Sequence, residues 1–198
     1  AQSVVDSATA PLAVSRPHPG WSEQDPADWI AATETAIEAL LASHGDRLAA
    51  VRGIGLSGQM HGATLIDAAS RPLRPCILWN DTRSHAEAAC LDADPRFRAV
   101  SGNIVFPGFP APKLVWVRAH EPEVFAATAK VLLPKDFLWL WLTGETVGEM
   151  SDAAGTSWLD TGARAWSSDL LEASGMRAEQ MPRLVEGTAP SGGLRAEL

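Results

Sequence analysis

Cysteine is scarce in this chain: 198 residues hold two, Cys76 and Cys90, and neither sits in a C-x-x-C pair. That excludes a zinc knuckle or a disulfide framework, predicts a reducing, cytoplasmic setting, and reads both thiols as core side chains. Long apolar runs are missing as well. The longest, Phe137 to Leu142, falls far short of the about 18 residues that would argue a membrane span. No charged region followed by an apolar one opens the chain in the manner of a signal peptide, so no membrane partner is expected. There is no basic run, and 16 Lys and Arg against 24 Asp and Glu leave a net charge of -8, which argues against a nucleic-acid surface. The G-x-x-x-x-G-K-[ST] phosphate loop is also absent, so any nucleotide chemistry needs another cradle.

What is present suffices for a real core: 46% of the residues are hydrophobic, and the length suits one domain of about 100–200 residues. Short strands are predicted at Ser3–Val5 and Leu12–Ser15, forming a hairpin edge before the turn-rich Pro17, Pro19 and Gly20. Asp25-Pro26 is a cap followed by a proline at the first helical position. Trp29, Ile30, Thr33, Ile37, Leu40 and Leu41 then recur at helical spacing up to Gly45. Val51, Ile54 and Leu56 read as a buried strand, Ala63–Ile66 as a second and Cys76–Trp79 as a third.

Further helices are predicted from Ser84 to Leu91, from the proline-rich entry at Pro110 and Pro112 through Val117, and from Pro122 to Thr128. A strand at Val131–Leu133 precedes an all-round apolar helix from Pro134 to Thr143-Gly144, which should be buried on several sides. Ser151–Thr156 reads as a loop, Ser168–Ala173 as a helix and Met176–Gln180 as a last turn. Strands interleaved with helices predict an α/β domain.

The most informative stretch runs from Gly53 to Gly62. Gly53-x-Gly55-x-x-Gly58 has the letters of a dinucleotide fingerprint, but that motif needs a strand before it and a helix opening at its third glycine. Here a helix precedes and a strand follows, so no nicotinamide or flavin site is expected. His61 emerges among glycines, where its imidazole could exchange hydrogen bonds with a polyol at neutral pH or serve as a loop histidine. Trp79-Asn80-Asp81 puts an aromatic face beside amide and carboxylate groups. That combination suits the C–H faces and hydroxyls of a sugar, though a strand-end tryptophan can equally belong to the core. Asp136 and Asp152 stand at element ends and read as caps.

Six phrases taken together, Ser15–Pro26, Ser57–Gly62, Ile77–Asp81, Pro107–Val117, Leu132–Asp136 and Met150–Thr156, resemble the FGGY family of carbohydrate kinases over nearly the whole chain. The resemblance implies an actin-like, ribonuclease H-like α/β domain with a mixed sheet flanked by helices. Residues 1–198 would be the family's N-terminal domain, lacking its opening Gly-Ile-Asp-Leu-Gly-Thr-Ser strand and turn and its whole C-terminal domain. It implies ATP and Mg2+ as cofactors, a small ketose as substrate, and the C-terminal kinase domain of the same polypeptide as partner, with a homodimer as a candidate assembly.

Gln59-Met60-His61-Gly62 favours the branch that transfers the γ-phosphoryl of ATP to D-xylulose, giving D-xylulose 5-phosphate, over the glycerol branch, which carries Arg-Glu at that place. A sibling specificity for L-ribulose, gluconate or another polyol is the first alternative, and a non-catalytic sugar-binding module the second. Met60 and His61 are carried over as the sugar-contact pair, with Trp79 and Asp81 beside them. No metal ligand and no catalytic residue falls in this segment, the base being expected beyond Leu198, so the segment alone is expected to be inactive.

Overall fold

The structure, a computed structural model, describes residues 3–198. Its first helix, α1 (Pro26–Ala49), begins as the sequence predicts, with the Asp25 carboxylate accepting from Ala27 N–H at 2.9 Å and Pro26 in the first turn. His44 leaves helical geometry (φ -144°, ψ 36°) and kinks the helix where the periodicity stops. Only Pro26 and Trp29 are buried, so α1 lies on the surface. Trp29 meets Phe137 edge to face at 6.2 Å, and its indole N–H donates to Gln24 Oε1 at 3.0 Å.

The strands are short. β1 (Glu23–Gln24) pairs antiparallel with β3 (Cys76–Ile77), in register Glu23 to Ile77. β2 (Thr64–Ile66) pairs antiparallel with β4 (Lys130–Leu132), Leu65 opposite Val131. A single bridge between Ala63 and Ile77 links these two ladders. β5 (Val147–Glu149) runs parallel to β8 (Arg183–Val185), and β6 (Leu159–Asp160) forms a hairpin with β7 (Ala165–Trp166). Parallel and antiparallel pairs thus coexist, and the helices α2 (His85–Asp92), α3 (Pro95–Ser101), α4 (Pro110–His120), α5 (Pro122–Ala127) and α6 (Pro134–Thr143) pack around them.

One core joins β2 and β3 to α4 through Leu65, Ile77, Leu114, Val117 and Trp158. A second holds Trp29, Ile66, Leu78, Leu132 and Phe137. None of the ten residues of α6 is exposed, as its composition predicts. Gly144 (φ 79°) closes it in the left-handed conformation, its N–H bonding Leu140 O at 2.8 Å. Among the described residues no helix is long and apolar enough to cross a membrane.

Several expectations are overturned. Residues 51–59 form no strand: Val51 is 56% and Ile54 49% exposed. A strand is defined by its ladder, and no described segment pairs with this one. Ser3–Val5 and Leu12–Ala13 are likewise unpaired, and only Ser15 bridges Glu23. Ser151–Thr156 is not a loop but the short helix α7 (Met150–Ala153) followed by a single 3₁₀ turn, Ala154–Thr156. Its cap is the Glu149 carboxylate, which accepts from Ser151 and Asp152 N–H at 2.9 and 2.7 Å, and not Asp152. Cys76 is buried but Cys90 is exposed, because α2 buries the stripe of Ala88 and Leu91 and turns Cys90 outward. A final helix, α8 (Ser168–Ala173), matches its predicted bounds.

Candidate functional site

His61 is the best-held of the predicted site residues. It is the centre of a three-residue turn closed by Gly62 N–H to Met60 O at 2.9 Å, and its φ is +65°. A non-glycine residue in that region costs about 1–3 kcal/mol and persists only where its surroundings over-determine it. Three contacts do so here. Nδ1 bonds Gly155 O at 2.8 Å, the ring packs on Phe109 at 4.6 Å between centroids, and the main-chain carbonyl accepts from Lys113 Nζ at 2.6 Å.

The first of these settles the tautomer by chemistry. A carbonyl oxygen can only accept, so Nδ1 carries the proton and Nε2 of the neutral ring presents a lone pair. Burial pushes the imidazole below its ordinary pKa, and the Lys113 charge adds to this, against the opposing bond to Gly155. His61 is therefore neutral at pH 7, and its Nε2 has no hydrogen-bond partner among the described residues.

Two glycines make room for this arrangement. A Cβ on Gly155 would fall 2.5 Å from His61 Nδ1, and one on Gly62 would fall 2.5 Å from Pro134 Cγ and 3.0 Å from Cys76 Sγ. The ring can thus lie flat against the 3₁₀ turn only because residue 155 has no side chain. Met60 (56% exposed) and Trp79 (53% exposed) both stand on the surface, and Phe106 lies 6.1 Å from the His61 ring between centroids.

Asp81 is placed differently. Its side chain is wholly inaccessible, and its two oxygens receive Ser22 N–H at 2.6 Å, Arg83 N–H and Nε at 2.9 Å each, and an Arg83 terminal nitrogen at 2.7 Å. Arg83 in turn bonds Glu23 at 2.7 Å and lies 3.6 Å from the Trp21 ring centroid. Such a carboxylate has no free lone pair for a ligand. Asp81 supports the turn that carries Trp79 and does not stand in the surface beside it, a correction to the sequence expectation. The sequence shows an acid near a tryptophan and an arginine two residues on, but not that Ser22, 59 residues away, meets the same carboxylate and turns it inward.

Lys113 is a residue of this candidate site that motif reasoning missed. It is fully buried, and its Nζ donates to His61 O at 2.6 Å and Gly108 O at 2.7 Å. Burial drives its ammonium down to about 7, against the pull of Cys76 and Asp81. A signal was available. Pro110, Lys113, Leu114 and Val117 share one stripe of α4 at helical spacing, all buried, so periodicity alone puts this lysine inside. Neighbouring Cys76 is an inert thiol, its pKa raised by burial to about 11.

A second charged group adjoins the glycine segment before His61, where a Cβ on Gly58 would fall 3.2 Å from Lys135 Cβ. Lys135 Nζ pairs with Asp136 at 2.5 Å and lies 3.5 Å from Asp152. Burial lifts Asp136 to about 6 despite the lysine, and lifts Asp152 as well. Asp136 and Glu149 line a cleft of about 120 Å³ between residues 54–56 and β5. No group of three or more His, Cys, Asp or Glu among the described residues could hold a metal ion. Three concavities, of about 10, 120 and 360 Å³, are lined by other residues than Met60, His61, Trp79 and Asp81.

Known proteins share this architecture. A crystal structure titled as a xyloylose kinase from Brucella ovis superposes with a TM-score of 0.97 at 68% identity, covering 98% of this chain and 41% of that one. The xylulose kinase structure from Rhodospirillum rubrum gives a TM-score of 0.92 at 31% identity, over 100% of this chain and 42% of that one. Xylulose kinase of Escherichia coli strain K12 is 53% identical over 196 residues, 98% of this chain and 40% of that protein. The chain thus spans about 40% of the length of these curated relatives. Its helix and strand arrangement is that of the actin-like ATPase fold of these kinases. The family model for the N-terminal domain matches residues 1–198, so the chain belongs to the FGGY family of carbohydrate kinases.

Proposed function

We propose that this chain provides the sugar-contacting wall of an ATP-dependent kinase that converts D-xylulose to D-xylulose 5-phosphate. The observation that carries the reading is the held His61. A neutral imidazole, fixed in one tautomer next to the exposed Met60 and against Phe106 and Phe109, offers one directed acceptor within an apolar surface. A ketose presents the complement, hydroxyl donors along a chain of C–H groups. His61 Nε2 accepts from one hydroxyl, Met60 covers the adjacent carbon, and the Trp79 face stacks on C–H groups further along. A neutral hydrogen bond of this kind contributes about 0.5–1.5 kcal/mol, so an open wall binds weakly by itself. The C-terminal domain of the same polypeptide closes over it, excludes water and brings the general base. The role of residues 1–198 is to orient the acceptor hydroxyl, the part of phosphoryl transfer that rests on positioning. The names of the relatives, xylulose kinases in E. coli and R. rubrum, support the ketose over a polyol or an aldonate.

The test is ADP release by the complete gene product with Mg·ATP and D-xylulose, L-ribulose, glycerol or gluconate, for wild type and His61→Ala. Preferred turnover of D-xylulose, with a raised ketose KM in the variant, is the expected result. Preference for another member of the panel overturns the substrate, and no turnover of any sugar favours a binding module.

A further inference from the structure

A lysine with no exposed surface is unusual, because the ammonium loses its hydration and is almost never fully buried without a counter-charge. Lys113 has no carboxylate within ion-pair distance among the described residues. Its two close partners are the carbonyls of His61 and Gly108, at 2.6 and 2.7 Å. Neither carbonyl belongs to a strand ladder. One is in the three-residue turn that holds His61 at φ +65°, and the other is in the turn before α4.

The second turn reaches the other side of the wall. Gly108 packs so closely on the turn carrying Trp79 that a Cβ there would fall 2.6 Å from Trp79 O, and it would also strike the Phe106 ring. One nitrogen thus ties together the loop bearing His61 and the loop that backs Trp79 and Phe106. The two loops are 47 residues apart in sequence, and among the described residues no other hydrogen bond joins them than those of this side chain, rooted on α4.

We infer that Lys113 is a positioning residue: its ammonium braces the His61 turn against the Gly108 turn and so sets the spacing between the imidazole and the indole. The inference rests on the sugar-wall reading above. It goes further in assigning a residue that touches no ligand to the specificity of that wall. Either protonation state of the nitrogen has two N–H groups for the two carbonyls, so the brace holds across neutral pH. Without those donors the half-buried His61 carbonyl is left unpaired, and the strained turn can relax to negative φ, carrying the imidazole off its position.

The experiment uses the complete gene product and a double-mutant cycle of Lys113→Met and His61→Ala. Met keeps the length and apolar stem of the lysine but has no donor. The expected result is a ketose KM raised about tenfold or more by Lys113→Met, with the ATP KM within about twofold of wild type. In the His61→Ala background the same substitution adds less than about twofold, because its effect passes through His61. Lys113→Gln, whose amide keeps two N–H donors, restores part of the lost ketose affinity. It carries the same comparison if Lys113→Met does not accumulate as folded protein. Equal rises in both KM values, or a full additive effect without His61, would mean a merely structural lysine and overturn the inference. An unchanged ketose KM in His61→Ala alone would instead overturn the sugar-wall reading itself.

Discussion

Gly155→Ala is the most direct probe of how the imidazole is held. The added methyl would lie 2.5 Å from Nδ1 and closer still to Cε1 of His61, well inside van der Waals contact, so the ring must leave. Gly155 sits in a 3₁₀ turn without positive φ, so the effect is steric and not a backbone penalty. Three consequences add. The Nδ1 bond to Gly155 O at 2.8 Å is lost, at about 1 kcal/mol. The contact with Phe109 at 4.6 Å is loosened, at about 0.5–1.5 kcal/mol. Gained against these is about 0.5–1 kcal/mol from replacing glycine in a helical turn. The net expectation is about 0.5–2 kcal/mol of lost stability in urea unfolding. The ketose KM should rise about five- to tenfold, since the directed acceptor is displaced and each 1.4 kcal/mol is about a factor of ten.

The decisive comparison is the same substitution after His61→Ala. With the ring gone the methyl meets an empty space, the penalty disappears, and Gly155→Ala becomes neutral or stabilising. Gly53→Ala, whose Cβ would meet nothing within 4 Å, is the control in both backgrounds. Equal destabilisation by Gly155→Ala with and without His61 would refute the steric argument, as would a wild-type ketose KM.

Asp81→Asn removes the charge that takes three hydrogen bonds from Arg83 and one from Ser22. Breaking one side of such a buried pair costs about 3–5 kcal/mol, although Glu23 at 2.7 Å from Arg83 offsets part of this. Urea unfolding should therefore shift strongly, and a stability within about 0.5 kcal/mol of wild type, the range of ordinary surface changes, would show that the network is slack. Asp136 gives a pH signature. Its folded pKa, raised to about 6 by burial against the pull of Lys135, lies above the ordinary carboxylate value. Its contribution is thus fully present below about pH 4 and is lost as pH rises through about 6. Asp136→Asn should flatten the stability profile between pH 4 and 7, where Asp152 and Glu149 are the other acids facing Lys135. Identical profiles for the two proteins would contradict the assignment.

Much of the fold is legible in order along the chain because its signals are local. Asp25-Pro26, Pro110 with Pro112, Pro122 and Pro134 each open a helix where the missing N–H is harmless. Gly144 ends one because only glycine enters the left-handed region without cost. The phrase Gln59-Met60-His61-Gly62 likewise points to the site without any coordinates. Strand pairing is another matter. Val51, Ile54 and Leu56 have the composition of a buried strand, yet no described segment pairs with them, and β5 with β8 pairs segments too short for any period to mark. A ladder is a relation between distant segments and leaves little trace in either one.

The sequence by itself determined where most of the helices begin, the family and the position of His61 in the chain, but not α3 or α7, the latter capped by Glu149 and not by Asp152. Tertiary structure alone decided which polar groups face outward. Asp81 turns in because Arg83 and Ser22 meet it, Lys113 spans two loops because α4 packs beneath both, and His61 keeps one tautomer because Gly155, 94 residues away, offers a carbonyl and no side chain. Burial and hydrogen-bond direction are set by what arrives from elsewhere in the chain, and that is settled only when the chain has folded.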